Sequence, residues 1–212
     1  MAKLYYFYGT MNSGKSINLS KDAFNYEESG MGAIVLKPSI DSRGEEGYIS
    51  NRIKEMSRKA YLFDQDEDLY IKLLKLMDAM LESGKEVGAI FIDEAQFLSR
   101  EQVLQISHIP DFHDIPVLCY GLRTDAFGHA FEGSLALFEL ADEMKEIKGM
   151  CAHTRKKATM VYRLDEKGNI VTKGNSLQIG GNDKYKACSR RVYKQKVLGI
   201  NGYDDIVNKK GE

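Results

Sequence analysis

"GTMNSGKS", residues 9–16, is the stretch on which the fold turns. Two glycines, a lysine and a serine stand at G-x-x-x-x-G-K-[ST] spacing, the pattern of a P-loop. The glycines let backbone N–H groups turn inward around phosphate oxygens. The lysine reaches the β- and γ-phosphates, and the hydroxyl faces Mg²⁺. This reading assigns Gly9, Thr10, Met11, Asn12, Ser13, Gly14, Lys15 and Ser16 to a nucleotide and sets Ser16 on its cation. The flanks agree with it. "LYYFY", residues 4–8, is a short aromatic run that reads as a buried strand. "SINLSKDAFNYEESG", residues 16–30, has helical spacing at Leu19, Ala23 and Tyr26, with Gly30 as a stop. A strand entering the loop and a helix leaving it add the positive end of that helix to the anion site.

The second half of such a site is an acid at the end of another buried strand. "AIFIDEAQF", residues 89–97, supplies one. Asp93 is placed to hold Mg²⁺ through water. Glu94 follows directly. In a phosphotransferase it takes the proton of an attacking hydroxyl; in an ATPase it orients water.

The remaining elements alternate. "GAIVLKP", residues 32–38, reads as a strand closed by Pro38. The glycine- and charge-rich "SIDSRGEEGYISNRI", residues 39–53, reads as a loop. Leu69, Leu73, Leu76 and Met80 form one helical stripe that Gly84 ends, a stripe that packs against a sheet. Ser99 and Gln102 have capping-box spacing. "IPVLCYGL", residues 115–122, is a further strand, and "GSLALFELA", residues 133–141, a helix. The expectation is an α/β chain, a P-loop NTPase of RecA-like type, with a mostly parallel sheet and helices on both faces. This kinase-type domain spans 1–144. Residues 145–196 change character, with short β-like runs around a turn at "DEKGN" and a glycine-rich loop at "GNSLQIGGNDKY". They read as a small, loop-rich second domain, followed by a polar tail over 197–212.

Composition narrows the function. With 30 basic against 31 acidic residues the net charge is −1, which offers no electrostatic footing for nucleic acid or a membrane surface. No long apolar run or signal-peptide pattern is present, which leads to the expectation of a cytoplasmic protein. Three widely spaced cysteines, Cys119, Cys151 and Cys188, are not a disulfide framework. "DEAQ" also occurs in helicase-type ATPases, but these need two RecA-like domains and a basic groove. A GTPase would carry an NKxD motif, which is missing. A small-molecule kinase fits the length and gives the small domain a task, closing over the acceptor. A P-loop ATPase or nucleotide-binding switch is the alternative.

Together, "YYFYGTMNSGKS", "IDSRGEEGYISNRI", "FIDEAQFLSREQV", "IPVLCYGLRTD", "KATMVYRLD" and "IGGNDKY" resemble the type II thymidine kinases, in order over most of residues 3–193, and look closest to the enterobacterial branch. The resemblance implies transfer of the ATP γ-phosphate to the 5′-hydroxyl of thymidine or deoxyuridine, with Glu94 as general base. It implies that "IGGNDKY" is a lasso covering the thymine through its backbone, so Ile179 and Gly180 join the substrate site, and that Tyr185 contacts the nucleoside. Met11, Leu122 and Phe131 match positions lining the base pocket. Asp41 and Arg43 match a DxR-type stretch near the phosphates, and Gln96 completes a DExQ motif on the nucleotide side. The family also implies a homo-oligomer, commonly a tetramer, with dTTP as feedback inhibitor.

Two departures stand out. The family's small domain usually holds a structural zinc on two ligand pairs, giving it a zinc-ribbon-like character. Here "CAHTRKKA" offers Cys151 and His153, and "KYKACSRRVY" offers only Cys188, with Ser189 and Val192 at expected ligand positions. Three ligands do not make a closed structural site: either zinc is lost, which is the expectation, or a register shift lets Cys151, His153, Cys188 and a water hold it. In "LRTDAFGHAF", Ala126 stands where the family has a phenylalanine stacked on thymine, and Phe127 follows. A shift by one would restore the ring; otherwise stacking worth on the order of 1 kcal/mol is missing.

Overall fold

The computed structural model describes residues 1–42, 45–49, 56–174, 184–202 and 205–206. Contacts divide the chain into two units. The first takes in Met1–Gly9, Gly14–Arg123 and Ala130–Ile147; the second takes in Thr10–Ser13, Thr124–His129 and Lys148–Glu212.

The first unit runs β1 (Leu4–Gly9), α1 (Lys15–Glu28), β2 (Gly32–Pro38), β3 (Tyr48–Ile49), β4 (Arg58–Lys59), β5 (Tyr61–Phe63), α2 (Leu69–Glu82), β6 (Val87–Ile92), a 3₁₀ turn (Ala95–Phe97), α3 (Arg100–His113), β7 (Val117–Leu122), α4 (Glu132–Leu140) and β8 (Glu143–Ile147). Six strands form one sheet in the order β5-β2-β6-β7-β1-β8. Every pairing in it is parallel. A parallel sheet needs cover on both faces, and alternation along the strands supplies it. Leu4, Tyr6, Ile34, Leu36, Ile90, Ile92, Val117 and Cys119 pack under α2, α3 and α4. Val35, Ala89, Phe91, Leu118 and Tyr120 pack against Leu19 and Ala23 of α1.

The long elements follow the sequence pattern closely. The capping box forms: Gln102 N–H donates to Ser99 Oγ at 3.1 Å and Ser99 N–H to Gln102 Oε1 at 3.2 Å. Two short sheet strands, β5 and β8, are not apparent in the sequence pattern. Tyr61–Phe63 is three residues long, and Glu143–Ile147 carries charges because it lies at the sheet edge. Because β8 pairs with β1 as far as Gly9↔Ile147, the first unit extends past residue 144 to Ile147.

The second unit contains β9 (Gly149–Met150), β10 (Lys157–Ala158), β11 (Met160–Leu164), β12 (Ile170–Val171), β13 (Tyr185–Cys188) and α5 (Arg190–Val197). β12, β11 and β13 form an antiparallel sheet, and β9 pairs with β10. The turn expected at "DEKGN" joins β11 to β12, with Asp165 Oδ1 accepting from Lys167 N–H at 2.9 Å and Asn169 N–H at 2.8 Å. α5 is not apparent in the sequence reading. It starts at Ser189, whose hydroxyl accepts from Val192 N–H, and it buries Val192 and Tyr193. Among the described residues no helix is long and apolar enough to cross a membrane.

Gly133 shows how tightly α4 seats on the 3₁₀ turn. A Cβ there would lie 2.5 Å from the Leu98 carbonyl oxygen and 2.7 Å from that of Ala95. Neither can move without breaking the turn. Gly133→Ala is expected to destabilise the chain by about 1–3 kcal/mol, which a denaturant titration of the purified variant would read as a lower midpoint at unchanged slope.

Candidate active site

The site grows from the carboxyl ends of the parallel strands, where open α/β sheets bind ligands. β1 ends at Gly9, β6 hands over to Asp93 and Glu94, and β7 ends at Leu122. Between Gly9 and Lys15 the chain turns through two left-handed positions, Asn12 at φ 62° and Gly14 at φ 89°. Gly14 has no side chain with which to cap α1, so the first turn of that helix presents its backbone N–H groups uncapped by the residue before it. Lys15 and Ser16 open the helix, and Lys15 is buried.

β7 lies between β1 and β6, yet Ser16 reaches across it: its hydroxyl donates to Asp93 Oδ2 at 3.0 Å. Asp93 Oδ1 accepts the Glu94 N–H at 3.0 Å. Burial pushes the Asp93 carboxyl up to about 7, and the neighbouring Glu94 carboxylate adds to the rise. The Glu94 N–H, the Ser16 hydroxyl and the Lys15 ammonium oppose it. A carboxylate so placed favours a nearby cation, and a hydroxyl plus a carboxylate are the hard oxygen donors that Mg²⁺ takes. Among the described residues no cluster of three or more His, Cys, Asp or Glu could by itself hold a metal. The oxygen set therefore fits a cation that brings its remaining ligands from water and phosphate.

Glu94 sits in the left-handed region at φ 49°, ψ 40°, where the chain leaves β6 for the 3₁₀ turn. Gln96, two residues on, donates through Nε2 to Glu94 Oε2 at 2.5 Å, and its Oε1 accepts the Leu122 N–H at 2.9 Å. Expected on the nucleotide side, Gln96 thus has both ends of its amide on protein groups. The Leu122 carbonyl accepts from Tyr6 OH at 2.8 Å and from Ser134 Oγ at 2.6 Å. Phe131, at the start of α4, meets Phe97 edge to face.

Lys37 went unnoticed in the sequence, although a lysine ending an otherwise apolar strand is a visible signal. It is buried at the carboxyl end of β2, 3.4 Å from Asp41, and donates to the Tyr48 carbonyl at 3.2 Å. Asp41 is therefore ion-paired within the protein. Arg43, Ile179 and Gly180 lie outside the described residues.

In the second unit, Met11 packs with Ala126, Val161 and Tyr185, so two expected substrate residues share one cluster. Phe127 is the ring that a shift by one would bring to the base. It lies under the Arg163 guanidinium, 5.4 Å from its carbon. Ser189 and Val192, the positions at which further zinc ligands would be expected, have other contacts. Ser189 caps α5 and Val192 is apolar core with Cys151 and Cys188. His153 is exposed and its Nε2 pairs with Tyr162 OH at 2.7 Å. The donor set does not fit a four-ligand zinc.

A parallel sheet carrying a lysine- and serine-bearing glycine loop opposite an Asp-Glu strand end defines a P-loop nucleotide-binding protein. The thymidine kinase family model matches residues 2–193. A thymidine kinase of Vibrio cholerae serotype O1 is 45% identical over 195 residues, 92% of this chain and 98% of that protein. One from Mannheimia succiniciproducens is 43% identical over 92% of this chain and 97% of the relative. One from Legionella pneumophila is 45% identical over 94% and 92%. The chain belongs to the thymidine kinase family.

The raised Asp93 carboxyl has a stability consequence. The unfolded state ionises near 3.8 and the folded state near 7, so between these values the folded state holds the extra proton. Stability from this group is full below about 4 and is lost as pH rises through 7. In nucleotide- and metal-free protein, the stabilising effect of Asp93→Asn on the thermal midpoint is expected to grow from pH 5 to pH 8. A difference that stays flat with pH would contradict the assignment.

Proposed function

We propose that the protein transfers the γ-phosphoryl group of ATP to the 5′-hydroxyl of thymidine, and of deoxyuridine, giving the monophosphate and ADP in nucleotide salvage. The observation that carries this reading is Glu94 placed directly after the Asp93–Ser16 pair. In this reading Asp93, bonded to the Ser16 hydroxyl, would serve the cation, and Glu94, the next residue, would serve the acceptor. Family membership supports the same activity.

The residues divide the work. Gly9, Thr10, Met11, Asn12, Ser13 and Gly14 offer backbone N–H groups to the phosphates, and Lys15 neutralises the β- and γ-oxygens. Ser16 and Asp93 would hold Mg²⁺, which offsets charge on the phosphates when bound. Glu94 accepts the proton of the 5′-hydroxyl. The new O–P bond forms as the bond from γ-phosphorus to the ADP oxygen breaks. Arg43 is assigned to the transferring phosphoryl group. Met11, Leu122, Phe131 and Tyr185 are assigned to the nucleoside together with Ile179 and Gly180. Feedback by dTTP, a homotetramer and a cytoplasmic location complete the reading. Neutral net charge argues against a nucleic-acid partner.

We further infer that the second unit folds without structural zinc, since Val192 and Ser189 serve packing and capping there. A strong chelator is expected to leave its thermal transition unmoved. A fall in the midpoint on chelation, restored by added zinc, would contradict this.

The activity is tested by ADP release from MgATP with and without each nucleoside. ADP forming only with thymidine or deoxyuridine, with matching monophosphate, is the expected result. Equal ADP in the control would favour the ATPase alternative. Glu94→Gln is expected to lower kcat by about 10²–10⁴-fold while nucleotide binding persists.

A further inference from the structure

We propose that Gln96 is a positioning residue for the reaction: its amide, fixed at one end by the backbone of Leu122, orients the Glu94 carboxylate at the other. The inference rests on the reading of Glu94 as general base. An amide oxygen only accepts and an amide nitrogen only donates. With Leu122 N–H on Oε1 at 2.9 Å, Nε2 must face Glu94, and it does so at 2.5 Å. The Gln96 side chain cannot flip without losing both bonds, because it is buried and because the backbone beside it is close. A Cβ on Gly121 would lie 3.0 Å from Gln96 N and 3.1 Å from its Oε1.

The anchor is itself fixed. Leu122 is held through its carbonyl by the Tyr6 and Ser134 hydroxyls and pairs in register with Gly9, where the phosphate loop begins. Glu94 needs such an external reference, since its left-handed backbone takes it out of the regular strand pleat. A donor on Oε2 makes that oxygen an acceptor in the resting enzyme. The proton arriving from the hydroxyl then goes to Oε1. Gln96 thus ties the base to the end of β7, which pairs with the strand end that leads into the phosphate loop.

The test is a double-mutant cycle in the full chain. Gln96→Met keeps length and removes both hydrogen bonds. Its kcat is expected to fall on the order of 10–100-fold, the scale of a base displaced by less than about 1 Å, with KM for ATP unchanged within about twofold. A residue acting only through Glu94 has no effect once Glu94 is gone. The Glu94→Gln, Gln96→Met double variant should therefore retain the residual turnover of Glu94→Gln alone. Wild-type kcat in Gln96→Met, or a further loss of similar size in the Glu94→Gln background, would overturn the proposal. Should Gln96→Met not fold, Gln96→Asn, one methylene too short to span both partners, carries the same cycle. Wild-type turnover in Glu94→Gln would instead remove the base reading, and this inference with it.

Discussion

Two adjacent carboxylates at the buried end of β6 are the constraint around which the first unit is arranged. Asp93 and Glu94 are both almost out of water, and the Glu94 carboxylate adds to the cost of charging Asp93. Such a pair persists only if donors and cations are brought to it. The chain brings Ser16 and Lys15 from α1 and Gln96 from the turn that follows β6. α1 is in turn held to the sheet by Leu19 and Ala23 and by the Tyr120 hydroxyl on Asp22, 2.7 Å away. Remove the acids and the phosphate loop loses its electrostatic counterpart. Remove α1 and Asp93 loses the Ser16 hydroxyl and the Lys15 charge that offset its burial.

The second unit solves a different problem. Few residues are available to it, and small units of this kind often rely on a metal to close their core. Here Cys151, Ala158, Tyr162, Cys188, Val192 and Tyr193 make an apolar cluster. The Cys151 thiol is the unusual member. Burial raises it, but hydrogen bonds from the Thr154 hydroxyl and from the His153, Ser189 and Thr154 N–H groups bring it down to about 7. The backbone still offers donors to that sulfur.

The legible parts of the sequence were those whose physics is local. β2 and the capping box of α3 follow from an apolar run before a proline and from a Ser-x-x-Gln spacing. The phosphate loop and the Asp-Glu strand end were equally plain, because each is a short motif with a fixed neighbour. What escaped is set by distant partners. β8 reads as "EMKEI", a charged segment, and becomes a strand only because β1 offers it an edge. The role of Gln96 depends on Leu122, twenty-six positions away, and that of Lys37 on a loop aspartate and the Tyr48 carbonyl. Phe127 could have filled the space beside Ala126 by spacing alone. Its stacking on Arg163 required knowing where β11 runs.

The strand order has a consequence for biosynthesis. β1, which leads into the phosphate loop, pairs only with β7 and β8, whose residues are 117–122 and 143–147. A chain emerging from the ribosome thus presents its aromatic first strand long before either neighbour exists. At ordinary elongation speeds the delay is on the order of 10 s. For that interval "LYYFY" is an unpaired, sticky edge, while β2 and β6 can begin to pair without it. The nucleotide loop is therefore among the first segments made and among the last to be seated. Truncation of translation before residue 117 would release a fragment whose aromatic first strand has neither of its two neighbours to dock on.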